Sequence, residues 1–319
     1  MNKISLDHIS DSNRIMAPTP WYGGKGNLVK QIVPHLPDGN LYCEPYCGMA
    51  SVFWHKQPAK IEVLNDVYGL LVNFFRCMQD KASYEELYHR IVWTLYCREE
   101  FAKAIDVMAD EEASDVDKAW AFYVGHTQGY SGQCNTSGDW GRAFVSNRGM
   151  AMTTNGWRGR MKRLEWWHDK LTRVQIDNVC ALQCIEYWDS ADTVFYVDPP
   201  YLESTRKSLG NYRHETDDKH HADLVNLLCE IDGQAVLSCY DDPMYAKLLS
   251  AGYQKIDIKT ASYTGGKNRG QMARGAGNGL EHSARVETLY ILNKTSVKQG
   301  LLFNDASIKS HKENDTSGA

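Results

Sequence analysis

The chain has no run of about 18 consecutive apolar residues, and its first stretch, Met1 to Arg14, is polar with no hydrophobic core. Neither a membrane span nor a secretory signal is expected, and the expected location is the cytoplasm. Paired CxxC spacings are also missing. The nine cysteines are an odd number at separations that suit neither a disulfide framework nor a zinc ribbon, so they read as small buried hydrophobes and no metal is expected. Nor is there a strong charge of one sign: 35 Lys+Arg against 40 Asp+Glu give a net charge of -5, which by itself argues against a nucleic-acid partner. What is present is 319 residues, enough for one large or two modest domains with a substantial core.

Resolved by segment, the charge is polarised. Glu99 to Lys118 carries eight acids against two bases, and Gly141 to Arg173 carries eight bases against two acids, local balances of -6 and +6. A basic run alone reads as a solvated helix face. Here Trp140, Phe144, Trp157, Trp166 and Trp167 are interleaved with the cations, a pairing that suits backbone phosphates and nucleobases. With an acidic body behind a basic face, nonspecific affinity for nucleic acid should be modest and strongly salt-dependent.

Periodicity predicts strands over Leu41 to Cys43, Ile61 to Leu64, Thr193 to Val197, Ala235 to Cys239, Tyr253 to Tyr263 and Val286 to Leu292. Helices are predicted over Asn27 to Val33, Ala50 to His55, Val67 to Gln79, Asp218 to Glu230 and Asp242 to Ser250. Alternation of this kind implies an α/β protein with a mostly parallel sheet covered on both faces. The last two strands are joined only by a glycine-rich stretch, Thr264 to Ser283, and should form an antiparallel hairpin at one edge. Between about Ser83 and Leu171 the pattern is helical at both ends, with a capping box at Ser114 and Asp117. Gln128 to Trp157 has no period, and a structureless loop of that length is usually functional or disordered. The tail after Gln299 looks disordered.

The sharpest motif is Asp198-Pro199-Pro200-Tyr201, directly after an apolar strand. A carboxylate there lies at the ligand-binding edge of a parallel sheet, and the prolines turn the chain out in a rigid extended shape that exposes the Pro199 carbonyl. Carboxylate and carbonyl suit the two N–H bonds of a planar exocyclic amine, with Tyr201 stacking on the ring; the bland alternative is a capped proline turn. Glu44-Pro45-Tyr46-Cys47-Gly48-Met49-Ala50 is a small-residue turn from strand to helix. Asn65-Asp66 ends a strand about twenty residues later, the spacing at which a carboxylate takes the ribose hydroxyls of an adenosine-bearing cofactor. Asp66 could equally cap the next helix. Trp21-Tyr22-Gly23-Gly24-Lys25 offers a ring, a tight turn and an ammonium, or is a plain glycine turn. His214, His220 and His221 read as surface residues at the start of a polar helix.

Taken in order, these motifs with a long insert before Asp198 resemble the Dam-type (D12 class, alpha group) DNA adenine-N6 methyltransferases. The likeness spans roughly Pro20 to Leu292. It implies a Rossmann-like class I methyltransferase sheet with an antiparallel edge hairpin, plus an inserted, mainly helical target-recognition domain. Residues 15-82 and 174-295 would form the catalytic domain, 83-173 the insert and 296-319 a tail. It further implies that Trp21, Lys25, Glu44, Tyr46, Gly48, Asp66 and Asp198 line an S-adenosylmethionine pocket and that Asp198, Pro199 and Tyr201 hold a flipped adenine in double-stranded DNA. From the basic segment, Arg142, Arg148, Arg158, Arg160, Lys162 and Arg163 are expected on DNA phosphates, with Lys267 and Arg269 from the glycine-rich stretch. Ala50 stands where the family's turn has its second glycine, which fits if that residue already starts the helix. The FNxPxG-like hairpin of GATC-specific members is not found, so no target sequence is implied. Alternatives are an RNA adenine or guanine methyltransferase and a catalytically silent DNA-binding relative.

Overall fold

The computed structural model describes residues 16–202, 204, 216–261 and 284–294. Along the chain run α1 (Val29–Ile32), β1 (Leu41–Glu44), α2 (Ser51–His55), β2 (Ile61–Asn65), α3 (Gly69–Gln79), α4 (Lys81–Trp93), α5 (Arg98–Ala109) and α6 (Asp115–Gln128). There follow β3 (Ser146–Asn147), β4 (Met150–Ala151), α7 (Met152–Met161), α8 (Leu164–Leu171), β5 (Val174–Asp177), α9 (Ala181–Trp188) and β6 (Thr193–Val197). The last are α10 (Asp218–Glu230), β7 (Gln234–Cys239), α11 (Ala246–Ser250), β8 (Gln254–Ala261) and β9 (Ala284–Leu292).

Seven strands form one sheet in the order β5-β2-β1-β6-β7-β9-β8, parallel from β5 to β7, with β9 antiparallel to both β7 and β8. Strand β5 was not among the predicted elements; its four residues alternate too briefly to stand out from the flanking helices. β1 lies between β2 and β6, so the chain order reverses there and leaves a crevice at the C-terminal ends of β1 and β6. Every residue of β6 and β7 is buried, as expected of strands covered on both faces.

Side chains alternate between two cores. Val194 and Tyr196 of β6 join Tyr42, Leu64, Val236 and Leu289 on one face, while Phe195 and Val197 join Cys43, Leu237 and Tyr290 on the other. Helices α9 to α11 cover the second face. The first face is continuous with α3, α4, α6, α7 and α8: Phe74, Leu87, Phe122, Tyr123, Trp157 and Trp167 all belong to its core. Helix α6 starts where Ser114 accepts the backbone N–H of Asp117 at 3.1 Å, the first half of the capping box. It then buries Trp120 to His126 against α3 and α5.

The segment Gln128 to Trp157 is more ordered than its composition suggests. Its two-residue ladder β3–β4 turns at Arg148 and Gly149, both at positive φ (52° and 76°), the backbone of a tight hairpin, and Trp157 lies within α7. The cysteines also divide: six are buried, but Cys97 and Cys229 are half-buried and Cys180, at the start of α9, is exposed. Among the described residues no helix is long and apolar enough to cross a membrane, and no three His, Cys, Asp or Glu side chains group as a metal site. The tail, Lys267, Arg269 and the end of the predicted strand at Tyr263 lie outside the described residues.

Candidate active site

The crevice between β1 and β6 opens into a cavity of about 650 Å3, within the range of small-molecule sites. Its wall carries Trp21, Lys25, Glu44, Tyr46, Gly48, Asp66, Asp198 and Pro199, so the sequence motifs converge from four separate parts of the chain.

Two residues build the floor by tying loops together. Asn65 holds the Pro45 and Val179 carbonyls through Nδ2 at 2.8 and 3.1 Å and accepts the Val179 N–H at 2.9 Å. Asp66 accepts the Gly48 N–H through Oδ2 and the Tyr68 N–H through Oδ1, each at 2.9 Å. It therefore braces the glycine turn and the entry to α3 at once, although Tyr68 occupies the helix's capping position. Gly48 has φ of 46°, and a Cβ there would come within 2.6 Å of Trp21 Nε1, so the indole packs on backbone that only glycine leaves open. Ala50 departs from expectation. It does not start α2 but precedes it in the left-handed region, φ 51°, a conformation that costs an L-residue about 1–2 kcal/mol.

Above the floor stand two carboxyls, Glu44 buried and Asp198 half-buried. Glu44 Oε1 accepts the Tyr42 hydroxyl and the Phe53 N–H, each at 2.7 Å. Burial nonetheless raises its pKa to about 8, against the lowering effect of those bonds and of Lys56. Asp198 Oδ1 receives Lys25 Nζ at 2.5 Å. Burial and the nearby Glu287 raise Asp198 while Lys25 lowers it, leaving it at about 6. Lys25 is only 6% exposed; burial pulls its pKa down, but Asp198 and Glu287 outweigh this and hold it above the ordinary lysine value.

Tyr201 is not on the cavity wall. It is buried, with Lys25 Nζ 4.8 Å over its ring and its hydroxyl bonded to Glu287. The histidines also differ from expectation. His221 is fully buried, its Nε2 2.9 Å from the Pro200 carbonyl and its Nδ1 3.0 Å from the Tyr245 hydroxyl, and so braces the turn after Asp198. His220 lines the cavity, 2.7 Å from the Tyr46 hydroxyl, and burial keeps it below the usual histidine value. A polar helix start conceals this, because the two rings point to different environments one residue apart. Glu287 was missed too; an acid inside the apolar strand ARVETLYIL was the available signal. The predicted phosphate contacts separate: Arg142, Arg148, Arg158 and Lys162 are exposed, whereas Arg160 and Arg163 are half-buried.

A mostly parallel α/β sheet whose crevice joins Asp66 to an Asp-Pro-Pro-Tyr turn is the frame of a methyltransferase. Residues 21–264, most of the chain, match the family model of the D12 class N6 adenine-specific DNA methyltransferases, and the chain belongs to that family. It is 24% identical over 262 residues to the DNA adenine methylase of Vibrio cholerae serotype O1, in both the classical Ogawa 395 and El Tor N16961 strains, covering 78% of this chain and 89% of that protein. It is also 31% identical over 103 residues to the DNA N-6-adenine-methyltransferase of Escherichia phage P1, covering 32% of this chain and 14% of that protein. Membership makes the chain a DNA adenine-N6 methyltransferase and implies S-adenosylmethionine as methyl donor.

Proposed function

We propose that the cavity holds S-adenosylmethionine against Asp66, Gly48 and Glu44 and presents a flipped-out adenine of double-stranded DNA to Asp198 and Pro199. The observation that carries this reading is the shared cavity: the braced Asp66, the buried Glu44 and the Asp198 turn face one volume. The donor set fits the cofactor. Asp66 offers carboxylate oxygens to a pair of hydroxyls, and its oxygens accept more than one bond each. Glu44, with a pKa of about 8, ionises readily when a cation comes near. When bound, the cofactor supplies a methyl group on a positively charged sulfur.

The chain's own part is to present the nucleophile. The adenine amine is a poor one, since its lone pair is delocalised into the ring. The ionised Asp198 carboxylate and the Pro199 carbonyl accept its two N–H bonds and favour a more tetrahedral nitrogen. Catalysis then comes from positioning and oriented acceptors, with no covalent enzyme intermediate. Extruding the base costs a few kcal/mol. Phosphate contacts by Arg142, Arg148, Arg158 and Lys162, on the segment between α6 and α8, offset that cost, and the segment from α4 to α8 serves as the target-recognition part. Trp21 packs on the cofactor turn, and Tyr46 with His220 closes the far wall.

Asp198→Ala should lower methyl transfer by at least about a thousandfold while S-adenosylmethionine binding changes little. Transfer of labelled methyl to duplex DNA and calorimetric cofactor titration measure the two. Near-normal turnover by this variant would remove the assignment.

A further inference from the structure

The part of the cavity wall that carries Trp21 is not built by the sheet alone. The Trp21 indole lies 5.1 Å from the His126 ring and 6.1 Å from the Phe122 ring, centroid to centroid, both on the C-terminal half of α6, and Tyr68 flanks it at 6.3 Å. The same indole packs on the Gly48 turn, so it touches the cofactor loop and α6 at once. Its own backbone does little to orient it. Trp21 opens a glycine turn in which the Gly24 N–H bonds its carbonyl at 3.2 Å and Gly23 has φ of 74°, so the direction of the ring is set by what packs on it.

His126 is itself fixed. It is 6% exposed, its ring centroid is 4.4 Å from that of Phe122, and its Nδ1 donates to the Gly132 carbonyl at 2.8 Å, which leaves Nε2 facing the Cys134 thiol at 3.5 Å. Two glycines let the loop from Gly129 to Cys134 come this close. Gly132 has φ of 78°, and a Cβ there would stand 2.9 Å from the Pro20 carbonyl; a Cβ at Gly125 would stand 3.2 Å from that of Cys134. The loop therefore rests both on α6 and on the residue before Trp21. His126 does not line the cavity, so it is not placed to touch ligand.

We infer that His126 is a positioning residue for the cofactor: its ring holds the Trp21 indole on the Gly48 turn, and the Gly132 carbonyl holds the ring. The segment from α4 to α8 thereby completes the cofactor pocket in addition to its part in target recognition. The inference rests on the reading that the cavity takes S-adenosylmethionine.

His126→Asn tests it, since asparagine keeps an N–H for the Gly132 carbonyl and removes the flat ring. Cofactor Kd in calorimetry should rise at least about fivefold, the loss expected for one aromatic contact, while kcat at saturating cofactor and KM for DNA stay within about twofold. His126→Phe keeps the ring and gives up the N–H, and its cofactor Kd should lie within about twofold of that of the unmodified protein. A purely structural fault would lower the fraction of active protein, and kcat with it, without this split. A double-mutant cycle tests the route. Trp21→Ala should weaken cofactor binding by itself, and adding His126→Asn should weaken it by less than about twofold more, because the indole through which His126 acts is gone.

If His126→Asn does not fold, His126→Leu replaces it, filling the space with neither a flat ring nor an N–H, with the same expectation. An unchanged cofactor Kd in the Asn or Leu variant, a loss in His126→Phe as large as in those variants, a fall in kcat without a change in Kd, or full additivity with Trp21→Ala would overturn the inference. Failure of the unmodified protein to bind S-adenosylmethionine would instead overturn the reading on which it rests.

Discussion

The crevice at β1 and β6 and the basic segment between α6 and α8 use charge in opposite ways. At the crevice, Glu44, Asp198, Lys25 and Glu287 are buried or nearly so, and hydrogen bonds of 2.5–2.7 Å or ion pairs fix Glu44, Asp198 and Lys25. In the basic segment, Arg142, Arg148, Arg158 and Lys162 stand exposed, and Phe144 is 89% exposed with the Arg142 guanidinium 5.3 Å over its ring. Buried charge is little screened and selects geometry, whereas exposed charge is screened within about a Debye length and selects only for opposite charge. One region is therefore suited to orienting an atom and the other to retaining a polyanion.

Substitutions can break that division, and after Asp198→Ala the largest effect is expected at Gly48. Gly48→Val forces a side chain into Trp21 and a β-branched residue to positive φ, and should weaken cofactor binding by at least about 2 kcal/mol. Calorimetry against unmodified protein checks it, and the salt dependence of DNA binding should not change. Reversing Arg142, Arg148 and Arg158 to Glu should do the converse. DNA affinity should fall at least about tenfold, the slope of log K against log salt should shrink by about 0.9 per lost phosphate contact, and cofactor affinity should stay the same. A constant slope would show that these cations do not meet phosphate.

The pH dependence sharpens the crevice side alone. Asp198 accepts hydrogen bonds from an amine best when ionised, and its pKa is raised to about 6, so with S-adenosylmethionine saturating, kcat/KM for DNA should be level above about pH 7 and fall toward tenfold per unit below 6. Initial rates from pH 5 to 8 measure this; a profile flat to pH 5 would contradict it. The smallest effect belongs to Ala50→Gly. Relief of the left-handed backbone and the greater freedom of glycine in the unfolded chain nearly cancel, so stability should change by less than about 1 kcal/mol, readable in a urea titration.

Much of the crevice is legible in the sequence. The Asp-Pro-Pro-Tyr turn, the Glu44 to Gly48 turn and Asn65-Asp66 each end an apolar strand, and strand ends of a parallel sheet share one edge, so their convergence follows from pattern alone. The environment of each side chain did not follow. Tyr201 carries the same letter whether it faces a cavity or lies beneath Lys25, and His220 and His221 differ only in which way one helical step turns the ring. The residues from 128 to 157 hid their order for another reason: the hairpin at Arg148 and Gly149 and the start of α7 are too short to show a period. Glu287 lies 86 residues beyond Tyr201, and no local rule links the two.

Composition and strand–helix alternation were enough to imply a mostly parallel α/β protein, because periodicity is a property of neighbouring residues, and the order of four motifs carried the resemblance to the D12 class. Packing established the rest. That Lys25 is shared by Asp198 and Glu287, that His221 braces Pro200, and that Ala50 bears a strained backbone depend on contacts between residues far apart in the chain. Such contacts are decided by burial and strand register, which exist only once the sheet has formed.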